Sequence, residues 1–258
     1  MKKILKVAEG LFINTILITL LVCSGVYAAE ETLPAPEEII TKNIEAIGGI
    51  KALNKIKNKK IVTIHKIVQR NMEVKDVIYQ ERPNNFYFSD ESTPERATWG
   101  YNGKMVWHKN PHSGARILEG DEASNYLPST IFDGPDGPDA RYKSMKTEGV
   151  EQINGKDCYK VVKTLETGPE RTVYYDKKSF MIVKITSHST EEYFEEYQKI
   201  NGILFPYKEI IFLNGQKYLE ITTDKIELNI KMPEGIFDIP KEIKAIMNKN
   251  ETEPHAQQ

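Results

Sequence analysis

EEYFEEYQKINGILFPYKEIIFLNGQKYLEITTDKIELN, residues 191–229, is the segment from which the architecture can be built. Three runs rich in Ile, Phe, Tyr and Leu are separated by Asn201-Gly202 and Asn214-Gly215. Asn-Gly between β-prone runs is a strong hairpin signal, because both residues tolerate the positive φ of a two-residue turn. The spacing predicts three consecutive antiparallel strands. A meander of this kind is stable only when one face is buried against another layer, so what covers that face is the functional question.

Alternation assigns side chains to the two faces. In the last run Leu219 and Ile221 share one face while Glu220 and Asp224 share the other, which places Leu219 and Ile221 on the apolar side. The same rule applied to SFMIVKITS, residues 179–187, puts Val183 and Ile185 on one face with Lys184 opposite. Within the meander both faces carry apolar residues: Phe205, Ile211 and Leu213 on one, Leu204, Ile210 and Phe212 on the other. A one-sided sheet would alternate more cleanly. A curved sheet with helices inside it, or a sandwich core, would produce this pattern. The pairs Glu191-Glu192 and Glu195-Glu196 make the strand around Tyr193 and Phe194 acidic on its outer side.

Upstream, ETLPAP is a short linker, and a helix follows with a proline in its first turn. Glu37 and Glu38 favour the positive end of its dipole, and Ile40, Ile44 and Ile47 recur at i, i+4 and i+7. Gly48-Gly49 ends it. A second short helix carries Ile50, Leu53 and Ile56 on one side and stops near Asn58. From Lys60 the period changes to that of strands, in IVTIHKIV, EVKDVIYQ, NNFYFS and a hairpin of ATWGY and KMVWHK across Asn102-Gly103. One or two helical turns fit residues 121–127 before Pro128 blocks continuation. The loop TIFDGPDGPDARY precedes DCYKVVKTL, RTVYYD, SFMIVKITS and the meander, for about ten or eleven strands in all. A last turn of helix fits PEGIFDIPKEIKAIMNKN, before a polar tail from about residue 249.

At the start, Lys2, Lys3 and Lys6 precede an apolar run at 11–22 and then Val26-Tyr27-Ala28, the pattern of a secretory signal peptide over residues 1–28, cleaved near Ala28. The run is shorter than the ~20 residues of a membrane span, and Asn14 and Thr15 interrupt it. Val22 ahead of Cys23 disfavours lipidation there. The remaining residues, 29–258, read as one domain. The full chain carries a formal net charge of -2, and removal of three Lys and one Glu with the signal peptide leaves -4. Without a basic block, nucleic acid is excluded as a partner. Only Cys158 remains after processing, so no intrachain disulfide can form, and an exported domain of this length relies on a packed core.

EEIITKNIEAIGGIKALNKIK, YNGKMVWHKNPHSGARIL, IFDGPDG, INGKDCYKVVKTL, TVYYDKKSFMIVKI, EEYQKINGILFPYKEI and GIFDIP occur in an order and spacing that resembles the outer-membrane lipoprotein-sorting (LolA-like) family of periplasmic proteins. The resemblance implies a mainly β fold. It is a curved antiparallel half-barrel whose concave apolar face is covered by N-terminal and mid-chain helices and accepts acyl chains. It implies a periplasmic, non-enzymatic carrier or chaperone for lipid or lipoprotein acyl chains, with membrane-bound donor and acceptor proteins as partners. On that reading Ile40, Ile44 and Ile47 form a helical plug, and Val183, Ile185, Leu219 and Ile221 belong to the cavity wall. Phe86, Phe88, Trp99 and Trp107 either line the pocket or are core, and the likeness of NGKMVWHKNP favours the pocket for Trp107. The alternative is a periplasmic interaction module whose cavity is filled by its own Ile and Phe side chains.

Enzymatic and metal chemistry lack their usual anchors. His108 and His112 lie across Asn110-Pro111 in a turn, without the carboxylate spacing of a zinc hydrolase. Asp133, Asp136 and Asp139 in DGPDGPD lack the terminal Glu of a calcium loop. No Ser sits in a G-x-S-x-G elbow and no Gly-rich turn forms a phosphate cradle, so no cofactor is expected. Cys158, in a strand without a neighbouring histidine, reads as a structural thiol. A hydrolase built on the DGPDGPD loop is the third and weakest reading.

Overall fold

Helix α1 (Pro36–Ala46) begins with its proline at the first position and with Glu37 and Glu38 in the first turn. It ends where Gly48 and Gly49 adopt positive φ values of 136° and 82°. A Cβ on Gly48 would meet the carbonyl oxygen of Gly202 at 2.7 Å, so glycine is required there twice over. Helix α2 (Ile50–Leu53) is a single turn. The helical spacing that placed Ile50 beside Leu53 and Ile56 does not hold, because the helix stops before Ile56. Leu53 and Ile56 are buried, whereas Ile50 is 44% exposed. The computed structural model describes residues 32–134, 136–138, 140–166 and 169–252. The signal-peptide reading of residues 1–28 and the end of the polar tail fall outside these residues.

Strands then follow in two blocks. The first holds β1 (Asn58–Ile67), β2 (Met72–Glu81), β3 (Asn85–Asp90), β4 (Thr98–Asn102), β5 (Val106–Asn110) and β6 (Gly114–Leu118). Helix α3 (Gly120–Thr130) and the DGPDGPD loop intervene. The second block holds β7 (Tyr142–Ile153), β8 (Lys156–Leu165), β9 (Glu170–Asp176), β10 (Ile182–Ser187), β11 (Thr190–Glu195), β12 (Gln198–Ile200), β13 (Ile203–Phe205), β14 (Lys208–Leu213) and β15 (Gln216–Leu228), before α4 (Lys241–Thr252). Thirteen of these strands form one open antiparallel sheet in the order β6-β5-β4-β3-β2-β1-β15-β14-β11-β10-β9-β8-β7, and β12-β13 form a separate hairpin. The sheet is the unclosed half-barrel that the resemblance implies.

The fifteen strands exceed the ten or eleven read from the sequence for two reasons. The edge strands β6 and β7 are polar along most of their length, as edges exposed to solvent must be, and so carry little apolar signal. The meander, for its part, is interrupted. Glu196 at φ 55° and Pro206 break its first two runs, and residues 198–205 leave the sheet as the small hairpin. Strand β11 therefore pairs directly with β14. The Asn201-Gly202 turn is real, with both residues at positive φ, but it closes this hairpin and not the main sheet.

Both helices with a sequence signal at their ends run longer than expected. α3 continues past Pro128, its last turn held by the Thr130 hydroxyl, which donates to the Leu127 carbonyl at 2.8 Å. Helix α4 is a full element and not one turn, because Ile243 is completely buried and Glu242 accepts from Lys109 at 2.6 Å. Among the described residues no helix is long and apolar enough to cross a membrane.

Helix α1 packs onto the second block: Ile39 and Ile40 join Val161, Val173, Tyr175 and Ile185 in one buried cluster. A second cluster unites Leu53, Ile56, Phe132 and Ile203, so it ties α2, the DGPDGPD loop and the small hairpin together. Ile44 packs against both clusters. The segment between the edge strands β6 and β7 reaches the same side through Phe132, which packs with Leu53, Ile56 and Ile203 beside Ile44 and Ile47 of α1 and its C-terminal end.

Candidate ligand cavity

Between α1, the small hairpin, the DGPDGPD loop and strands β9 to β14 lies a cavity of about 850 Å³. This is within the range of about 300–1,000 Å³ typical of sites that enclose a small organic ligand. Its wall combines Ile47, Leu53, Ile56, Phe132, Ile182, Ile185, Phe194, Ile203, Leu204 and Phe205 with a few polar groups.

Of the three isoleucines read as a helical plug, Ile47 alone lines the cavity, while Ile40 is sealed in the core and Ile44 bridges the two clusters, because the helix turns its N-terminal half into the sheet packing. Asn43, on the same buried side, donates to the Phe180 carbonyl at 2.7 Å and fixes the helix to the β9–β10 turn. The Leu204 backbone N–H donates to the Ile47 carbonyl at 2.8 Å, which attaches the small hairpin to the C-terminal end of α1.

Val183 and Ile185 do not share a face. An irregularity between Ile182 and Lys184 shifts the register of β10 against β9, so alternation fails across it. Ile185 lines the cavity, while Val183 packs with Cys158 and Tyr174 in a separate cluster. Cys158 is fully buried there, and burial pushes its thiol up to about 11, as suits a structural residue. Leu219 and Ile221 are half-buried and pair with Ile211 and Glu209, but the cavity ends before reaching them.

The first block is filled by its own aromatic side chains. Phe86 stacks on Trp99 with centroids 4.1 Å apart, Phe88 lies 6.4 Å from the same ring, and Tyr126 of α3 meets Trp99 edge-on at 4.9 Å. Trp107 sits on the other face, 6.1 Å from Tyr87, with Gly100 directly beneath it. Phe86, Phe88, Trp99 and Trp107 all lie outside the 850 Å³ cavity, so the pocket reading of Trp107 does not hold for it.

Two ion pairs hold the DGPDGPD loop. Asp133 receives the Arg82 guanidinium, which also donates to the Ile56 carbonyl at 2.9 Å and stacks 4.3 Å above Phe132. Asp136 pairs with Lys163, a fully buried lysine that also donates to the Tyr175 hydroxyl at 2.8 Å. Burial pushes the Lys163 ammonium well below its usual range. The two aspartates compared with a calcium loop therefore take protein cations as partners, and Asp139 lies outside the described residues. Lys59 donates to the Phe132 carbonyl at 2.5 Å, and burial lowers it to about 8.

The polar side of the cavity is a feature that sequence reasoning missed. Arg171 of β9, Glu192 of β11 and Glu209 of β14 all line it. Alternation across β11 sends Glu191 outward to pair with Lys184 and Glu192 inward, so the acidity of this strand is divided between its faces. Burial, reinforced by the nearby Glu192, pushes Glu209 up to about 8. Burial also raises Glu192 and lowers Arg171.

A second polar group was equally unforeseen. His65 Nδ1 lies 2.8 Å from Asp76, which is buried, and His65 Nε2 lies 3.1 Å from the Thr63 hydroxyl. The neutral tautomer that satisfies both contacts donates from Nδ1 and accepts at Nε2. The order hydroxyl, imidazole, carboxylate is that of a hydrolytic triad, but Thr63 is buried within β1 and borders neither the 850 Å³ cavity nor the pocket beside Arg82.

No family model and no curated protein sequence matches the chain. Solved structures do. A LolA superfamily protein from Nitrosomonas europaea superposes with a TM-score of 0.59 at 13% identity, over 80% of this chain and 99% of that one. A DUF1329 family protein from Desulfovibrio piger gives 0.58 at 11% identity, over 80% and 98%. An outer membrane lipoprotein-sorting protein domain from Vibrio parahaemolyticus gives 0.56 at 12%, over 78% and 95%. At such identities the likeness defines the fold: this chain has a LolA-like half-barrel.

Proposed function

We propose that the protein is a non-enzymatic periplasmic carrier or chaperone that shields acyl chains of a lipid or lipoprotein in the cavity under α1. The observation that carries this reading is the 850 Å³ space left between an open sheet and its covers, where Ile47, Phe132, Ile185, Ile203 and Phe205 present apolar surface. A self-filled core describes the first strand block, with its stacked Phe86, Trp99 and Tyr126, but leaves this space unaccounted for. Binding is hydrophobic: about 25 cal/mol is gained per Å² of apolar surface withdrawn from water, so one acyl chain supplies several kcal/mol without specific contacts. The fold likeness to the outer membrane lipoprotein-sorting protein domain from Vibrio parahaemolyticus supports the same class of cargo.

Native mass spectrometry of protein purified without detergent tests this. Co-purified lipid mass is the expected result. Uniformly ligand-free protein that also fails to take up a fluorescent fatty-acid probe would favour the interaction module.

A further inference from the structure

The cavity is chemically two-sided. Ile47, Ile203 and Phe205 stand toward α1 and the small hairpin, whereas Arg171, Glu192 and Glu209 come from the sheet. Strand pairing brings the last three together: Glu192 lies opposite Ile185, Ile185 lies opposite Val173 two residues from Arg171, and Glu209 lies opposite Phe194. Among the described residues none of the three has a hydrogen-bond or ion-pair partner in the protein. The Arg171 Nε is sealed from solvent and lacks an acceptor. Buried polar groups in folded proteins are nearly always satisfied, so the unsatisfied Arg171 Nε, beside the half-buried Glu192 and Glu209, marks where a partner arrives from outside.

The donor balance indicates the kind of partner. A guanidinium is always charged and offers five N–H donors in a fork that fits an oxyanion. Glu209, held protonated at neutral pH by burial and by Glu192, adds an O–H donor. Tyr197, from the β11–β12 connection, completes this wall, and its hydroxyl is committed to the Ile182 carbonyl at 2.9 Å. Glu192 offsets the charge of Arg171. The Arg171 fork and the Glu209 O–H thus face the cavity as donors that no hydrogen bond among the described residues engages.

We propose that the cargo is an amphiphile with a single oxyanion headgroup, a carboxylate or a phosphate, bound by Arg171 and Glu209 while its chain runs along Ile47, Ile203 and Phe205. This rests on the carrier reading and specifies its ligand.

The test compares matched pairs by displacement of a fluorescent acyl probe from the mature protein at neutral pH: palmitate against methyl palmitate, and lysophosphatidate against monoacylglycerol. The expected result is at least a tenfold preference for the anionic member of one pair, and which pair shows it identifies the carboxylate or the phosphate. Arg171→Gln reduces that preference to within about twofold, and Arg171→Lys retains part of it. Equal binding of anionic and neutral lipids by the wild-type protein overturns the headgroup assignment while the carrier reading stands. Displacement by none of the four overturns the carrier reading itself.

Discussion

Glu209 allows a quantitative test of how the cavity is paid for in stability. In the folded protein burial raises its carboxyl from 4.5 to about 8, with Glu192 adding to the effect. At about 1.4 kcal/mol per pH unit of displacement, the whole difference corresponds to roughly 5 kcal/mol. Its oxygens border a cavity that water can enter, and screening there reduces the figure to about 1–3 kcal/mol. Between pH 4.5 and about 8 the folded state holds a proton that the unfolded state has released. The contribution of Glu209 is thus fully present below pH 4.5 and is lost as pH rises through about 8. Lys59 works in the opposite sense above that range: burial lowers it from 10.5 to about 8, so the cost of its charge is relieved as pH rises from about 8 to 10.5. Glu209→Gln removes the first effect and keeps the second. Urea unfolding at about pH 5 and about pH 8 is the assay, and wild type should lose about 1–3 kcal/mol more than Glu209→Gln between the two. Parallel stability profiles for the two proteins would refute the assignment of a buried, proton-holding Glu209.

Ile44→Asp places a charge between both core clusters and should either cost several kcal/mol or release α1, seen as a lowered Tm or as altered acyl-probe binding. Ile185→Ala should cost about 2–4 kcal/mol and change probe affinity, whereas Ile221→Ala, half-buried and outside the cavity, should cost less than about 2 kcal/mol and leave probe affinity unchanged. Gly100→Ala drives a Cβ to 2.4 Å from the Trp107 ring, which is 1% exposed and has nowhere to move; a loss of about 1–3 kcal/mol in chemical denaturation is expected. Asp136→Asn leaves Lys163 buried without its counter-charge and should lower stability by about 3 kcal/mol, measured at neutral pH.

Local signals carried much of the architecture. The apolar stripe at Ile40, Ile44 and Ile47, the glycine stop after it and the Asn-Gly turns depend only on neighbours in the chain, and each is found where the spacing places it. What the sequence conceals depends on pairing. A single register shift in β10 separates Val183 from Ile185, and no residue in SFMIVKITS marks it. Polarity in β6 and β7 reads as loop until a neighbouring strand is supplied on one side only. Charged residues in strands are assigned outward by default, which hides Arg171, Glu192, Glu209 and Lys163. Their inward placement becomes visible only when the four strands that carry them, β8, β9, β11 and β14, are assembled into one sheet. The one available hint was the doubled Glu191-Glu192, since in a strand two successive residues cannot share a face.

The segment from residue 119 to 141 joins the two free margins of the arc and is anchored on both sides of it, to Arg82 at the end of β2 through Asp133 and to Lys163 of β8 through Asp136. A salt bridge to each strand block means that the loop covering the cavity cannot lift from one block without either losing an ion pair or pulling on the other. Release of a guest past this loop would then expose a buried charge, Asp136 or Lys163, to the cavity, a cost that a purely apolar cover would not carry.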